Sequence, residues 1–255
     1  MTPGETLLVD IGNSRVKWAR VSERRLFDPG EALHIESPAA ALRAMVEAQP
    51  MGIARLLTAN VGGEALGSAL TEVARDSWSI AAEFVTPARE RHGVRCGYSD
   101  PSRLGADRWV ALVAVHQLTR GAACVIDAGT TVTLDALDGE GQHLGGLIMA
   151  GPRMVCAALH RETSGIGETS GTPRAPTGVD VLGTNTEDAV ANGAMLSVAG
   201  ALDRALAAVS AGLGEQPTVY ITGGDARVLS PWLEARTRNR ANLVLEGLAF
   251  IAAEG

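Results

Sequence analysis

Large rings are scarce in this chain of 255 residues: Phe, Trp and Tyr together make up 4%, against 30 glycines. A core built from such material relies on Ala, Leu and Val and on backbones that approach closely. Cysteine is scarce too. Cys96, Cys124 and Cys156 are odd in number, widely separated and without a C-x-x-C pair, which speaks against a disulfide framework or a zinc site and fits a reducing cytoplasm. The five histidines are scattered, with no H-E-x-x-H or similar pair at metal-ligand spacing. Positive charge is not in excess either: the formal net charge of −7 argues against a nucleic-acid partner or an anionic membrane surface. A phosphate site must then be positive locally, with Lys17, Arg108 and bound cations as its sources. No basic region and apolar segment opens the sequence, and no run approaches the ~20 apolar residues of a bilayer span. These absences predict a soluble, unexported protein with no membrane partner. What is present is 46% hydrophobic residues, enough to bury a full core as one large or two small domains.

The segments Asp10-Ile11-Gly12-Asn13-Ser14 and Asp127-Ala128-Gly129-Thr130-Thr131 follow one plan and start 117 positions apart, close to half the chain. Each comes after a short apolar run (Thr6-Leu7-Leu8-Val9; Ala123-Cys124-Val125-Ile126) and leads into a second run that can be extended. The plan predicts a strand, a tight turn and a returning strand. Gly lets the backbone turn sharply and bring its N–H groups to an anion, while Asn, Ser and Thr add side-chain donors, a combination that suits phosphate oxygens. The Asp carboxylate at the end of each first strand points into the same space. Repulsion from phosphate forbids that unless a cation stands between them, so two such residues imply bound metal. Either copy alone is ordinary turn chemistry; the pair, at matching places in two halves, predicts a two-lobed phosphate clamp.

Residues 25–27 and 32–35 supply a third strand, broken by an Asp28-Pro29-Gly30 turn. Helix over 38–48, strand over 53–59, helix over 64–75 and strand over 80–85 then alternate as in an α/β domain. Residues 86–104 lapse into a polar, Gly- and Pro-punctuated stretch, a candidate functional loop, which ends on a helix over 106–118. The second half repeats the order: strand, hairpin turn and strand over 123–137, a turn at 138–141, a strand over 144–149 and a helix from Pro152. Residues 163–184, rich in Gly, Thr, Ser and Pro, read either as a mobile lid or partner-facing segment or as a solvated loop. An Ala-rich helix over 187–211 has weak points at Gly193 and Gly200. A strand over 219–222 runs into Gly223-Gly224-Asp225, a third place for nucleotide contact. Leu243-Val244-Leu245 and the apolar tail to Ala252 predict a final strand and helix.

Two halves that each begin with such a hairpin, plus a late Gly-Gly turn, resemble the superfamily of acetate and sugar kinases, heat-shock protein 70 and actin. The motifs DIGNSRVK (10–17), GADR (105–108), DAGTTVT (127–133), GG-L-I-x-x-G (145–151) and NTEDAVANG (185–193) occur in the order and spacing of type III pantothenate kinase, over nearly the whole chain. The resemblance implies an α/β fold of two ribonuclease H-like domains of the actin-like ATPase superfamily, residues 1–119 and 120–255, with mixed sheets flanked by helices and the ATP cleft between them. It implies ATP-dependent phosphorylation of pantothenate to 4′-phosphopantothenate, the first committed step of coenzyme A synthesis. Mg²⁺ and a monovalent cation, K⁺ or NH₄⁺, are the implied cofactors. The implied assembly is a homodimer whose interface completes the pantothenate pocket, with the long helix and the loop after it as contacts. By the same resemblance ATP is held along Asp10, Ile11, Gly12, Asn13, Ser14, Arg15, Val16 and Lys17 and at Thr130. Asp10 holds Mg²⁺ directly or through water, and Asp127 binds the monovalent cation. Pantothenate contacts fall on Tyr98, Gly105, Ala106, Asp107, Arg108 and Thr186, with Asp107 as the base.

The residues suit that work on their own chemistry. In-line phosphoryl transfer needs phosphates held, their charge neutralised, and an acceptor hydroxyl aligned and relieved of its proton. Asp107, at a helix start beside Arg108, is expected to stay ionised at neutral pH and so to accept that proton. Arg108 is a fork for the pantothenate carboxylate. Apart from the family, the same residues read as a cap and a solvated helix charge, Tyr98 as a surface aromatic, and Thr186 as an N-cap. Gly223 and Gly224 are expected to approach the adenosine. Where the family carries Pro-Gly after the GG-L-I strand, this chain has Ala150-Gly151-Pro152, which predicts a small backbone change in the pocket wall. Two other classes fit the same fold: a regulatory binding protein, and a kinase or phosphatase acting on a sugar or polyphosphate. Intact Asp10, Lys17, Asp107, Arg108 and Asp127 speak against the first; GADR, chain size and the lack of a Cys/His zinc cluster speak against the second.

Overall fold

A computed structural model describes residues 5–49, 52–168, 173 and 178–254, and these form two compact units. The first comprises the chain up to Leu118, Gly141–His143 and everything from Asn242 onward; the second holds Thr119–Glu140 and Leu144–Ala241. A cut at 119/120 assigns the C-terminal tail to the second half. The contacts assign it to the first, where its apolar helix is buried.

In the first unit β1 (Glu5–Ile11), β2 (Arg15–Ser22) and β3 (Arg25–Leu33) form an antiparallel meander; after α1 (Pro38–Glu47) and around α2 (Glu64–Trp78), β4 (Ile53–Asn60) and β5 (Ala82–Phe84) join in parallel, giving the order β3-β2-β1-β4-β5. Leu7, Leu8 and Val9 are all buried, the continuous apolar run of a central strand covered on both faces. On one face Leu42 and Met45 of α1 and Leu66, Leu70 and Ala74 of α2 pack with Leu7, Val9, Ile11 and Leu56. Each large side chain so buried contributes about 1.5–3 kcal/mol over an exposed one. Asp28-Pro29-Gly30 does not divide β3 in two. The register against β2 slips by one residue between Trp18 and Arg20, so the tripeptide is absorbed as a bulge on an edge strand, where the donor that Pro29 lacks is not needed.

Residues 86–104 hold more regular structure than their composition predicts. β6 (Glu90–Arg91) and β7 (Val94–Arg95) make a short hairpin, and Pro101–Arg103 form a 3-10 turn that delivers the chain to α3 (Ala106–Leu118). Every residue of α3 from Arg108 to Val115 is buried.

The second unit repeats the sheet plan. β8 (Ala123–Ala128) and β9 (Thr131–Leu137) are an antiparallel hairpin, and β10 (His143–Ala150) follows on the edge; α4 (Pro152–Glu162) and α5 (Thr186–Leu213) precede β11 (Thr218–Thr222), and the four-residue α6 (Ala226–Leu229) precedes β12 (Thr237–Asn239). The order β10-β9-β8-β11-β12, with β8, β11 and β12 parallel, matches the first sheet position for position. α5 runs unbroken through Gly193 and Gly200. Its Met195, Val198, Ala199, Leu202 and Leu206 pack on Cys124, Ile126 and Leu134, which outweighs the ~1 kcal/mol that each glycine costs a helix. By length and apolar composition α5 alone among the described helices could cross a bilayer; with this face in the unit's core, it is a core helix of the second sheet. Of the stretch 163–184, read as a lid or partner-facing segment or as a solvated loop, residues 169–172 and 174–177 lie outside the described residues.

The chain ends in α7 (Leu243–Ala252), one helix where a strand and a helix were expected. A continuous apolar run does not distinguish a buried strand from a buried helix by periodicity. Here Leu243, Val244 and Leu245 open a helix that packs against α3 in the first unit.

Candidate active site

The first hairpin is built as its sequence predicts. Asp10 stands opposite Lys17 and Ile11 opposite Val16 across β1 and β2, and the Gly12 N–H donates to the Arg15 carbonyl at 3.0 Å. Ile11 and Val16 are fully buried, so any part they play in ATP binding runs through their backbone. Asn13 is exposed, and Arg15 is paired with Glu31 across the sheet at 2.7 Å. The second hairpin turns one residue tighter: Ala128 opposes Val132, and the Gly129 N–H donates to Thr131 at 3.0 Å. Asp127 faces Thr133 across this hairpin, the register position that Lys17 holds in the first. Thr130 is exposed at the tip.

Neither Gly12 nor Gly129 is demanded by the packing of the protein itself. A Cβ at either would meet only a carbonyl oxygen at 3.6 Å, so each leaves ordinary open space over its turn. That space is the cradle a phosphate group needs to reach the backbone donors.

Within the first unit a loop links its hairpin to the start of α3. The loop after β4 docks on the hairpin: the Val61 N–H donates to Ile11 at 2.9 Å, and a Cβ on Gly62 would lie 2.9 Å from the Gly12 oxygen. Asn60 shapes this loop by accepting from the Gly62 N–H and donating to the Gly63 carbonyl, both at 3.0 Å. GADR is next in line. A Cβ on Gly105 would lie 3.6 Å from Val61 and 2.6 Å from the Asp107 carboxylate, so only glycine lets that carboxylate fold back over the helix start. There Asp107 Oδ1 accepts the Arg108 N–H at 2.7 Å. The sequence predicted Asp107 and the hairpin separately; the fold brings them to the two sides of Val61 and Gly62.

Tyr98 and Arg108 also meet. Arg108, only 8% exposed, donates from Nη1 to the Tyr98 hydroxyl at 3.0 Å, and its guanidinium carbon lies 5.6 Å from the ring centre. His143, buried at the start of β10, stacks on Tyr98 with ring centres 5.8 Å apart. Arg89 fixes the backbone of the same loop, donating to the Tyr98 carbonyl at 2.8 Å and the Ser99 carbonyl at 2.6 Å. Neither His143 nor Arg89 stood out in the sequence, because a lone histidine and a lone arginine carry no spacing signal.

In the second unit the turn after β11 packs on the second hairpin: the Asp225 N–H donates to Ala128 at 2.8 Å, and a Cβ on Gly223 would lie 2.5 Å from the Asp127 carboxylate. Gly223 is thus fixed by its approach to Asp127, while Gly224 faces open space. Gly151 also donates to the Thr130 carbonyl at 3.1 Å, and Pro152 takes the first position of α4, so the Ala-Gly-Pro departure leaves this junction intact. Thr186 is the first helical residue of α5. The cap is Asn185, whose side chain accepts the Asp188 N–H at 2.8 Å, and capping does not engage the exposed Thr186 hydroxyl.

Other chemistry finds less support. Burial pushes the Cys124 thiol up to about 12, with the Asp135 charge adding to the shift, and burial raises Cys156 as well, so neither is a ready thiolate. Among the described residues no group of three or more His, Cys, Asp or Glu side chains could hold a metal. Single carboxylates such as Asp10 on the first hairpin and Asp127 on the second are donors of the kind Mg²⁺ takes one or two at a time, with phosphate oxygens and water completing its shell. A cavity of about 330 Å³ lined by Pro152, Cys156, His160 and Ala191 lies in the second unit and contains none of the predicted residues.

Comparison with known proteins gives the family and the fold. The sequence model of a family described as Type III pantothenate kinase matches residues 6–208. A type III pantothenate kinase of Nitrosococcus oceani is 36% identical over 253 residues, covering 97% of this chain and 94% of its own. One from Azoarcus sp. is 37% identical over 251 residues, covering 97% and 90%. Among solved structures, a conserved Baf family protein from Campylobacter jejuni superposes with a TM-score of 0.62 at 19% identity, covering 97% of this chain and 98% of that one. The ROK hexokinase of Thermus thermophilus gives 0.53 at 14% identity, covering 98% and 100%. At such identities the structures speak for the fold alone, which is the actin-like ATPase fold with two mixed sheets flanked by helices.

Proposed function

This chain belongs to the type III pantothenate kinase family, and from that premise we propose how its residues divide the transfer of a phosphoryl group from ATP to pantothenate. The activity itself follows from the family: ATP-dependent phosphorylation of pantothenate in coenzyme A synthesis. The acceptor is the hydroxyl that yields 4′-phosphopantothenate. Asp107 accepts the hydroxyl proton as the new O–P bond forms and the bond to the departing ADP breaks. Arg108, levelled by Tyr98, holds the pantothenate carboxylate, and Thr186 adds a hydroxyl contact. Residues 10–17 hold the ATP phosphates through Gly12, Asn13, Ser14 and Lys17, and Thr130 contacts the nucleotide from the second hairpin.

Asp10 would hold Mg²⁺, directly or through water, and Asp127 a potassium or ammonium ion. When bound, these cations neutralise phosphate charge beside carboxylates that would otherwise repel it. The supporting observation is within the first unit, where Val61 and Gly62 join the Gly12 turn to the GADR helix start. A base and a phosphate loop that share one small wall suit a transfer between groups a few ångströms apart.

The test is Asp107→Asn assayed beside wild type. Turnover is expected to fall roughly a hundredfold or more, with ATP binding measured by calorimetry unchanged. Near-wild-type turnover would remove Asp107 as the base. Rates in potassium or ammonium are expected to exceed those in sodium, and identical rates in all three salts would count against a cation at Asp127.

We also assign a homodimer. In the second unit β10, α4 and α5 leave Leu147, Ile148, Met154, Leu159 and Leu196 exposed, more apolar surface than water favours on one set of neighbouring elements. A reducing cytoplasm is the proposed compartment, supported by three free cysteines.

A further inference from the structure

His34 follows the last residue of β3 and is 6% exposed, a polar ring buried beside the first hairpin. It holds both flanks of the turn. Its backbone N–H donates to the Ser14 carbonyl at 3.1 Å, and its ring Nε2 lies 2.9 Å from the Gly12 carbonyl oxygen. A carbonyl only accepts, so Nε2 carries the hydrogen and the ring is the donor. The geometry of the peptide then does the rest. The unit between Gly12 and Asn13 is planar and trans, so its C=O and N–H point in opposite directions. A Gly12 carbonyl drawn inward to a buried imidazole turns the Asn13 N–H outward, on the residue that is exposed at the tip of the turn.

We propose that His34 is a positioning residue for ATP: it orients the Gly12–Asn13 peptide so that the Asn13 N–H is presented to a phosphate oxygen. The proposal rests on the reading of residues 10–17 as the ATP phosphate loop. It extends that reading to a residue outside the loop that touches no substrate. Without the imidazole donor, the Gly12 carbonyl is free to rotate toward the incoming phosphate and repel it.

Steady-state kinetics of His34→Gln, His34→Met and His34→Leu, with Lys17→Ala as the control for the loop, test it. Gln carries an amide N–H at a similar reach, whereas Met and Leu fill the space without a donor. Met and Leu are expected to raise the KM for ATP about tenfold, the loss of one buried hydrogen bond converted to an equilibrium constant. The KM for pantothenate should stay within about twofold, and Gln should return the ATP value to within about threefold of wild type. A merely structural role would lower the active fraction and leave both KM values alone. If Lys17→Ala raises the KM for ATP while both donor-free variants leave it unchanged, or if Gln behaves like Met, the proposal is overturned and the loop reading stands. If Lys17→Ala is without effect as well, both are overturned. Either donor-free variant suffices should the other fail to fold.

Discussion

Arg108 is a guanidinium with little solvent access, and a charge at that depth is tolerated only where its donors are answered. The Tyr98 hydroxyl answers one of them at 3.0 Å, and His143 stacks on the phenol ring. Tyr98 therefore orients the guanidinium, and in the proposed function it sets the plane in which Arg108 would meet the pantothenate carboxylate. Tyr98→Phe keeps the ring and its stack and removes only the acceptor, so the expected outcome is a KM for pantothenate raised roughly fivefold to tenfold with the KM for ATP unchanged. Initial-rate measurements with each substrate varied in turn check it; a change confined to ATP would show that Tyr98 serves the other substrate. At this scale the sequence was legible where a motif carried the residue. The Gly12 turn is read from its neighbours in the chain, and Asp107 and Arg108 were singled out because the GADR motif carries a family resemblance. His143 lies 45 positions after Tyr98, and His34 20 positions after Ser14. Each acquires its place only when strands pair, and no local spacing announces that.

Elements were legible in proportion to how local their determinants are. The two hairpins follow from alternation and turn residues next to one another in the chain, and α1 from Pro38 at its start. α7 was misread at its start because Leu243, Val244 and Leu245 are buried by tertiary contact, which erases the periodicity that separates strand from helix. That same contact bears on the proposed base. α7 lies against α3, and a Cβ on Gly247 would lie 2.2 Å from the Val110 carbonyl oxygen and 2.6 Å from a Val110 methyl. Backbone cannot yield as a flexible side chain does, so the two helices would have to part. Gly247→Ala is expected to cost about 1–3 kcal/mol, the usual range for overpacking. In a protein of this size that corresponds to a Tm lower by roughly 3–10 °C. Because the proposed base Asp107 starts the helix that moves, kcat should fall along with Tm, whereas Gly212→Ala, an exposed helical position facing open space, should lower neither. Differential scanning calorimetry and the kinase assay on the same two preparations decide it; equal melting temperatures would mean that α3 and α7 can separate at no cost.

At the scale of the whole chain, the repeat read from two Asp-containing turns proved to be a repeat of sheets. Five strands in one order recur as five in the same order, and the Asp of each turn sits on the equivalent central strand. What a linear reading could not find is the return of α7 to the first unit, since the chain visits one unit twice. Assembly is argued at this scale too. Ile148 on edge strand β10 is 64% exposed, so placing a charge there should alter the stability of a lone chain by no more than about 0.5 kcal/mol, as at other surface sites. In a dimer that uses this face the same charge is buried without a partner and costs several times as much. Ile148→Asp should therefore sediment as a monomer at concentrations where the wild type sediments as a dimer, with an unchanged circular dichroism spectrum. Its turnover should fall with the dimer fraction, since the proposed dimer completes the pantothenate pocket. A wild-type protein that sediments as a monomer at assay concentrations while turning over pantothenate would overturn the homodimer, and a variant that stays dimeric would move the interface off β10.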